Sequence, residues 1–264
     1  MNRGYLTLAL FTICILVFIL GPVIVIVLSS FTTSMFATFP PKGFTLQWYG
    51  NIGTYPEFIG SIGISLIIAT MVTIVALFFG ILASYSIVRH KFPGKNALNA
   101  FFMSPISLPW IVIGISLLFF YSRLFRIETL TGLIIGHLLV TTPYMIRSIV
   151  ASLTGFNRTL EEASLNLGAS EVKTFLKITL PLIKPGILSG TIFTFLLSFN
   201  DLNISMFLAG PHITPFPLVL FNFLVLRALD PTIAALSSVI ALSTIALGVL
   251  LGRFFSAQVV VGRK

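Results

Sequence analysis

Six stretches of this chain each stay apolar for longer than about 20 residues, the length a helix needs to cross roughly 30 Å of hydrocarbon. They run over approximately 6–30, 62–88, 98–122, 130–153, 182–208 and 232–254. In lipid every backbone N–H and C=O must pair within its own segment or with a closed neighbour. Runs this long do not match the roughly 10-residue alternating segments of a barrel, so they read as helices. Charge excludes the soluble alternative. Asp, Glu, Lys and Arg make up 9% of the 264 residues, against about a quarter in soluble domains. The fold class is therefore all-α, a polytopic membrane protein with six transmembrane helices in a single domain spanning 1–264.

The third run carries Pro105 and Pro109 and the fourth carries Pro143, so both are expected to bend or break where a helical hydrogen bond is lost. The first run is longer than the apolar core of a signal peptide and no small-x-small cleavage site follows it, so it is read as a span. Cys14 lies inside this run and is the chain's one cysteine, which excludes an internal disulfide and a cysteine-based metal cluster.

The connecting loops set the orientation. Arg3, Arg89, Lys91, Lys95, Arg147, Arg158, Lys173, Lys177, Lys184, Arg253, Arg263 and Lys264 fall on one side, twelve against the four of Lys42, Arg123, Arg126 and Arg227. Cytoplasmic loops hold the excess of Lys and Arg, which places both termini in the cytoplasm. The net charge of +9 is scattered over short loops, a pattern that suits anionic membrane lipid and not a nucleic acid. Two outer loops are long, 31–61 and 209–231. Phe44, Trp48 and Tyr49 of the first suit an interfacial aromatic belt, and the second holds an apolar stretch too short to span, expected as a short helix at the outer surface. His212 has no second ligand at metal spacing and reads as a solvated loop residue.

Between spans four and five lies a charged segment, TLEEASLNLGASEVKTFLKITLPLIKPG, residues 159–186. Thr159 and Glu162 have the spacing of a capping box, and Glu161 and Glu162 sit where the positive end of a helix dipole favours acids. A short helix over 160–167 should stop at Gly168, a residue free to adopt the left-handed cap conformation. Ser170 can then start a second helix, with Val172, Phe175 and Leu176 on one face, Lys173 and Lys177 on the other, and a break at Pro181. Leu160, Ala163 and Leu167 form a small apolar face on the first helix, a candidate docking surface.

Glu162-Ala163-Ser164, then Gly168, then Ile178 and Leu180-Pro181 resemble the cytoplasmic EAA signature of the membrane subunits of type I ABC importers, with Ser164 standing for the second alanine. The six spans and the loop's position fit the same permease fold. WYG near residue 48, RHKFPGK, SFNDLNISMFLAGP and the chain length are similar to the C-type permeases of spermidine/putrescine importers, where paired acids tend to stand in place of Asn200-Asp201. The resemblance implies a bacterial inner-membrane permease whose loop at about 155–186 carries a coupling helix. Glu161, Glu162, Ala163, Ser164, Leu167, Gly168 and Ala169 would engage a dimer of ABC ATPase subunits, and spans four and five would rock with it. It also implies a homologous permease subunit and an extracytoplasmic solute-binding protein as partners. The sequence holds no G-x-x-x-x-G-K-[ST] phosphate loop, so no cofactor and no catalysis are expected here, and ATP and Mg2+ belong to the partner ATPase.

Asp201 is the acid at membrane depth, where a charge costs about 2.5–3.5 kcal/mol on insertion scales. With Asn200, Asn203 and Ser205 it forms a polar patch in the fifth run, the candidate solute pathway. Two readings stay open for it: an acceptor for a passing amine, or a structural partner of a neighbouring helix, with His137 and Arg147 nearby. A polyamine or related amine is the expected solute, an aminophosphonate or iron complex the alternative within the class. A passive channel would need no capped cytoplasmic helix, and a membrane enzyme would need converging catalytic groups.

Overall fold

The computed structural model describes residues 3–124, 129–226 and 230–261; Arg126, Arg227, Arg263 and Lys264, counted above among the loop charges, lie outside the described residues. In chain order the helices are α1 (Arg3–Ser29), α2 (Gln47–Ile52), α3 (Pro56–Arg89), α4 (Lys95–Ser107), α5 (Trp110–Leu124), α6 (Thr129–Gly155) and α7 (Thr159–Asn166). They continue with α8 (Glu171–Thr174), a π-helical turn (Phe175–Thr179), α9 (Leu180–Leu182), α10 (Lys184–Phe199), α11 (Ser205–Leu208), α12 (Phe216–Leu226) and α13 (Pro231–Val261). The described residues form no β-strand, in keeping with the all-α reading.

By length and composition α1, α3 and α6 each suffice to cross a membrane. Two bent pairs also qualify, α4 with α5 at 105° and Glu171–Leu182 with α10 at 67°, and α13 adds the shorter apolar segment Pro231–Ala246. The count thus reaches five when each bent pair is one span. The third run breaks at Leu108–Pro109, as its prolines predict. Pro143 behaves otherwise: α6 passes through it without interruption, since Pro143 is buried among packed helices that stabilise the segment around the missing N–H. The fifth run departs too. Its helix ends at Phe199, and only the one-turn α11 follows after a break at residues 200–204.

The chain divides into two compact units, Gly60–Leu218 and the remainder, Met1–Ile59 with Val219–Lys264. In the latter, α1 exposes apolar side chains almost all round, as suits a helix solvated by lipid, and packs on α13. Trp48 and Tyr49, expected as interfacial aromatics, make hydrogen bonds within their own unit. The Trp48 indole N–H donates to the Thr32 carbonyl at 2.6 Å, and the Tyr49 hydroxyl lies between Ser30 Oγ at 2.7 Å and Ser238 Oγ at 3.0 Å. They fasten the 31–55 loop to its own unit, whereas Phe44 stays exposed and stacks on Phe31. The expected short helix of the second loop is α12, and His212 is exposed.

Unit Gly60–Leu218 is organised on α6. Gly186, Gly190, Thr194 and Ser198 recur every four residues on α10 and are all buried, a small-residue stripe that lets two backbones approach closely. A Cβ on Gly186 would lie 2.6 Å from the Ser148 carbonyl oxygen, and one on Gly190 would lie 3.2 Å from Met145 Cα. Gly114 and Gly136 admit the segment before α11 in the same way, with Asn203 O and Ile204 Cγ2 at 2.9 and 2.7 Å from their notional Cβ positions. Ile204 thereby joins a core with Ile68, Val72, Ile113, Leu133 and Val140.

Candidate functional site: a capped corner and a buried clamp

A helix of eight residues has little stability of its own in water, so α7 depends on its ends and its anchor. The expected capping box does not form. Thr159 lies inside the helix, and the Asn157 Oδ1 accepts from the Thr159 N–H at 3.1 Å, an Asx-type start that satisfies the backbone two residues earlier than expected. Glu162, released from that role, pairs instead with Arg158 at 3.3 Å. Both side chains are more than half exposed, so this pair contributes little. The C-terminal stop falls at the expected glycine. Gly168 has φ +84°, its N–H donates to Leu165 O at 2.9 Å, and the Ala169 N–H donates to Ser164 O at 3.1 Å. This is the double hydrogen bond of a Schellman cap.

Ser170 then caps α8, its Oγ accepting from the Lys173 N–H at 3.3 Å. Ser164 Oγ meets Thr174 Oγ1 at 3.0 Å and ties the two helices across the corner. The second helix does not stop at Pro181 but runs to Leu182, with Ile183 at the break before α10. The π-helical turn just ahead shifts the carbonyl register, so the missing proline N–H is absorbed within a helix.

The faces of this corner differ. Leu160 and Leu167 of the expected apolar face are exposed, Leu167 to 89%, and Val172 and Leu176 of the second helix are exposed as well. Glu162, Ala163 and Gly168 are exposed with them, while Ser164 and Ala169 are half-buried. Glu161 is the one buried residue of α7. Its Oε2 lies 2.7 Å from Nε of Arg89, the last residue of α3, and its Oε1 accepts from the Thr179 hydroxyl at 2.6 Å. The Nε–H is not aimed at the carboxylate, so the contact is one of charge rather than a straight hydrogen bond. The same guanidinium donates from Nη2 to the Leu153 carbonyl at 3.2 Å and lies over the Phe156 ring at 4.7 Å. Nothing local in the sequence signals a pair separated by 72 positions.

The polar patch of the fifth run divides in two. Asn200 and Asn203 are exposed, whereas Asp201 and Ser205 are buried. Asp201 Oδ2 accepts from the backbone N–H groups of Ile204 at 2.9 Å and Ser205 at 3.2 Å, so the carboxylate caps α11. His137 on α6 places Nε2 3.5 Å from the same oxygen. Arg147 is exposed and is no partner of this cluster. Among the described residues no group of three or more His, Cys, Asp or Glu has the arrangement of a metal site.

Residues 76–259 match the family described as binding-protein-dependent transport system inner membrane component. The chain belongs to this family. It is a multi-pass ABC importer permease. The permease is 31% identical over 230 residues to the putrescine transport system permease protein PotI of Escherichia coli strain K12, covering 84% of this chain and 81% of the relative. It is 31% identical over 254 residues to the spermidine/putrescine transport system permease protein PotC of Haemophilus influenzae, covering 95% and 96%. The molybdate/tungstate transport system permease protein WtpB of Thermococcus kodakarensis is 32% identical over 211 residues, covering 79% of the permease and 81% of that relative. A bacterial ABC transporter involved in the import of the acidic polysaccharide alginate shares the fold, with TM-score 0.74, 15% identity and 96% coverage of both chains.

Proposed function

We propose that this permease forms half of the translocation pathway of an ATP-driven importer for a small polar amine, putrescine or spermidine being the leading candidates. A homologous permease supplies the other half, an extracytoplasmic binding protein delivers the solute, and a separate ABC ATPase dimer binds ATP and Mg2+. The capped corner carries the reading. An exposed apolar tip, held by a double cap at Gly168 and a buried acid at Glu161, is a rigid body offered to a protein groove. The apolar tip and the flanking residues Glu162, Ala163, Gly168 and Ala169 seat on the ATPase, and both termini lie in the cytoplasm. Hydrolysis then moves the corner, and α6 and α10, which flank it, rock to open the pathway alternately to the two sides.

The solute assignment rests on the polyamine permease relatives at 31% identity over 84–95% of the chain. The neutral, exposed amides Asn200 and Asn203 line the pathway and set hydrogen bonds rather than charge, with Ser205 and Asp201 supporting them from beneath. A WtpB-like permease at 32% identity makes an oxyanion the second reading. The test is the complex itself, assembled with its ATPase and binding protein and reconstituted in proteoliposomes. Accumulation of labelled putrescine, with spermidine but not molybdate competing, is the expected result. Molybdate uptake would replace the amine, and a permease that retains no ATPase on purification would overturn the reading.

A further inference from the structure

We infer that Arg89 and Glu161 form an internal joint that makes α3 travel with α7, so that the corner drives a third helix besides α6 and α10. This rests on the reading of α7 as the coupling helix. Glu161 is the one residue of α7 withdrawn from solvent, and both members of the pair are nearly so, at 10% and 8% side-chain exposure. An anchor whose task was adhesion alone would do as well with apolar side chains, since replacing a buried ion pair by a hydrophobic contact is often neutral or stabilising. A buried pair is instead costly to pull apart, because each charge is left without its partner.

Four segments meet on these two side chains. Arg89 ends α3, Glu161 belongs to α7, the Leu153 carbonyl and Phe156 ring belong to the end of α6 and its linker, and Thr179 belongs to the π-helical turn. Tyr85, one turn before Arg89 on α3, packs edge-on against Phe175 of the same turn at 5.0 Å. A displacement of α7 that left α3 behind would strip the carboxylate of its guanidinium and the guanidinium of its acceptors at once. Moving α3 along keeps every contact. Glu161 is on this account a positioning residue inside the permease and not a contact to the ATPase, which separates it from the exposed Glu162 beside it.

The joint is tested by electron–electron distance measurements between nitroxide labels at Phe78 on α3 and Thr159 on α7, both exposed. The assembled complex is measured in nanodiscs, nucleotide-free and trapped with ATP and vanadate. The expected result is one distance in both states for the otherwise unaltered permease, and a shift on trapping in Arg89→Ala and in Glu161→Gln. A distance that changes on trapping before any substitution, or variants that hold the original distance in both states, would overturn the inference. Glu161→Gln keeps an acceptor for Thr179, so the corner can fold without the charge. If it too assembles no complex, the pair serves folding alone and the inference fails. Loss of the ATPase from the unaltered permease would instead overturn the coupling reading, a different outcome from either.

Discussion

His137 Nδ1 on α6 stands 2.9 Å from Ser198 Oγ on α10, joining two helices at the top of the small-residue stripe. Its Nε2 faces Ser205 Oγ at 3.3 Å and Asp201 Oδ2 at 3.5 Å, so one imidazole links α6 to both sides of the break in the fifth run. Each ring nitrogen has a polar neighbour, and the ring is buried. Ser198→Ala leaves one nitrogen without a partner, a loss of about 1–3 kcal/mol. A lowered midpoint in thermal unfolding of the detergent-solubilised permease is the expected outcome, and an unchanged midpoint would show that the contact contributes nothing.

The stripe below that histidine makes a second prediction. A side chain at Gly186 meets Ser148 O and Ser152 Cβ at 2.6 and 2.4 Å, whereas one at Gly190 meets the flexible Met145 Sδ first, at 2.6 Å. Backbone cannot yield as a thioether can. Gly186→Ala is therefore expected to cost more than Gly190→Ala, within the roughly 1–3 kcal/mol typical of overpacking. The order of the two unfolding midpoints checks it, and the reverse order would mean that α6 and α10 are not held together here.

Long apolar runs, the glycine stop and the Ser170 cap were legible because each depends on a few neighbouring residues. The proline break at Leu108–Pro109 was legible for the same reason. Pro143 and Pro181 were not, since whether a proline ends a helix depends on what packs around the freed carbonyl. The 182–208 run misled because hydropathy does not register that a carboxylate at Asp201 caps a new helix four residues on. The Arg89–Glu161 pair and the His137 cluster are products of the tertiary fold, invisible to any local window. Of the seven residues assigned to ATPase coupling, Glu161 is the one that the fold buries, and of the four assigned to the pathway, Asp201 and Ser205 are buried.

Gly168 is strained for other residues by its backbone alone, with φ +84° and nothing within 4 Å of a Cβ. Asn tolerates the left-handed region, and other non-glycine residues lose roughly 1–2 kcal/mol there. Gly168→Asn should retain uptake in the reconstituted complex. Gly168→Pro cannot reach positive φ and lacks the N–H that bonds Leu165 O, so uptake should be lost while ATP hydrolysis escapes control by the binding protein. Normal uptake by the proline variant would show that the corner transmits nothing.

Asp201 separates two roles by the choice of substituent. As a cap it needs only an acceptor oxygen for the Ile204 and Ser205 N–H groups, which Asn supplies and Ala does not. As a counter-charge for an amine it needs the negative charge, which neither supplies. Burial of Asp201 at 3% exposure favours the cap. Asp201→Asn should then transport at close to the normal rate, while Asp201→Ala loses about 1–3 kcal/mol of stability from the orphaned N–H groups and assembles poorly. Uptake rates normalised to assembled complex decide between them: an Asp201→Asn permease that assembles fully but no longer carries putrescine would place the carboxylate on the pathway, with the charge itself in contact with the passing amine.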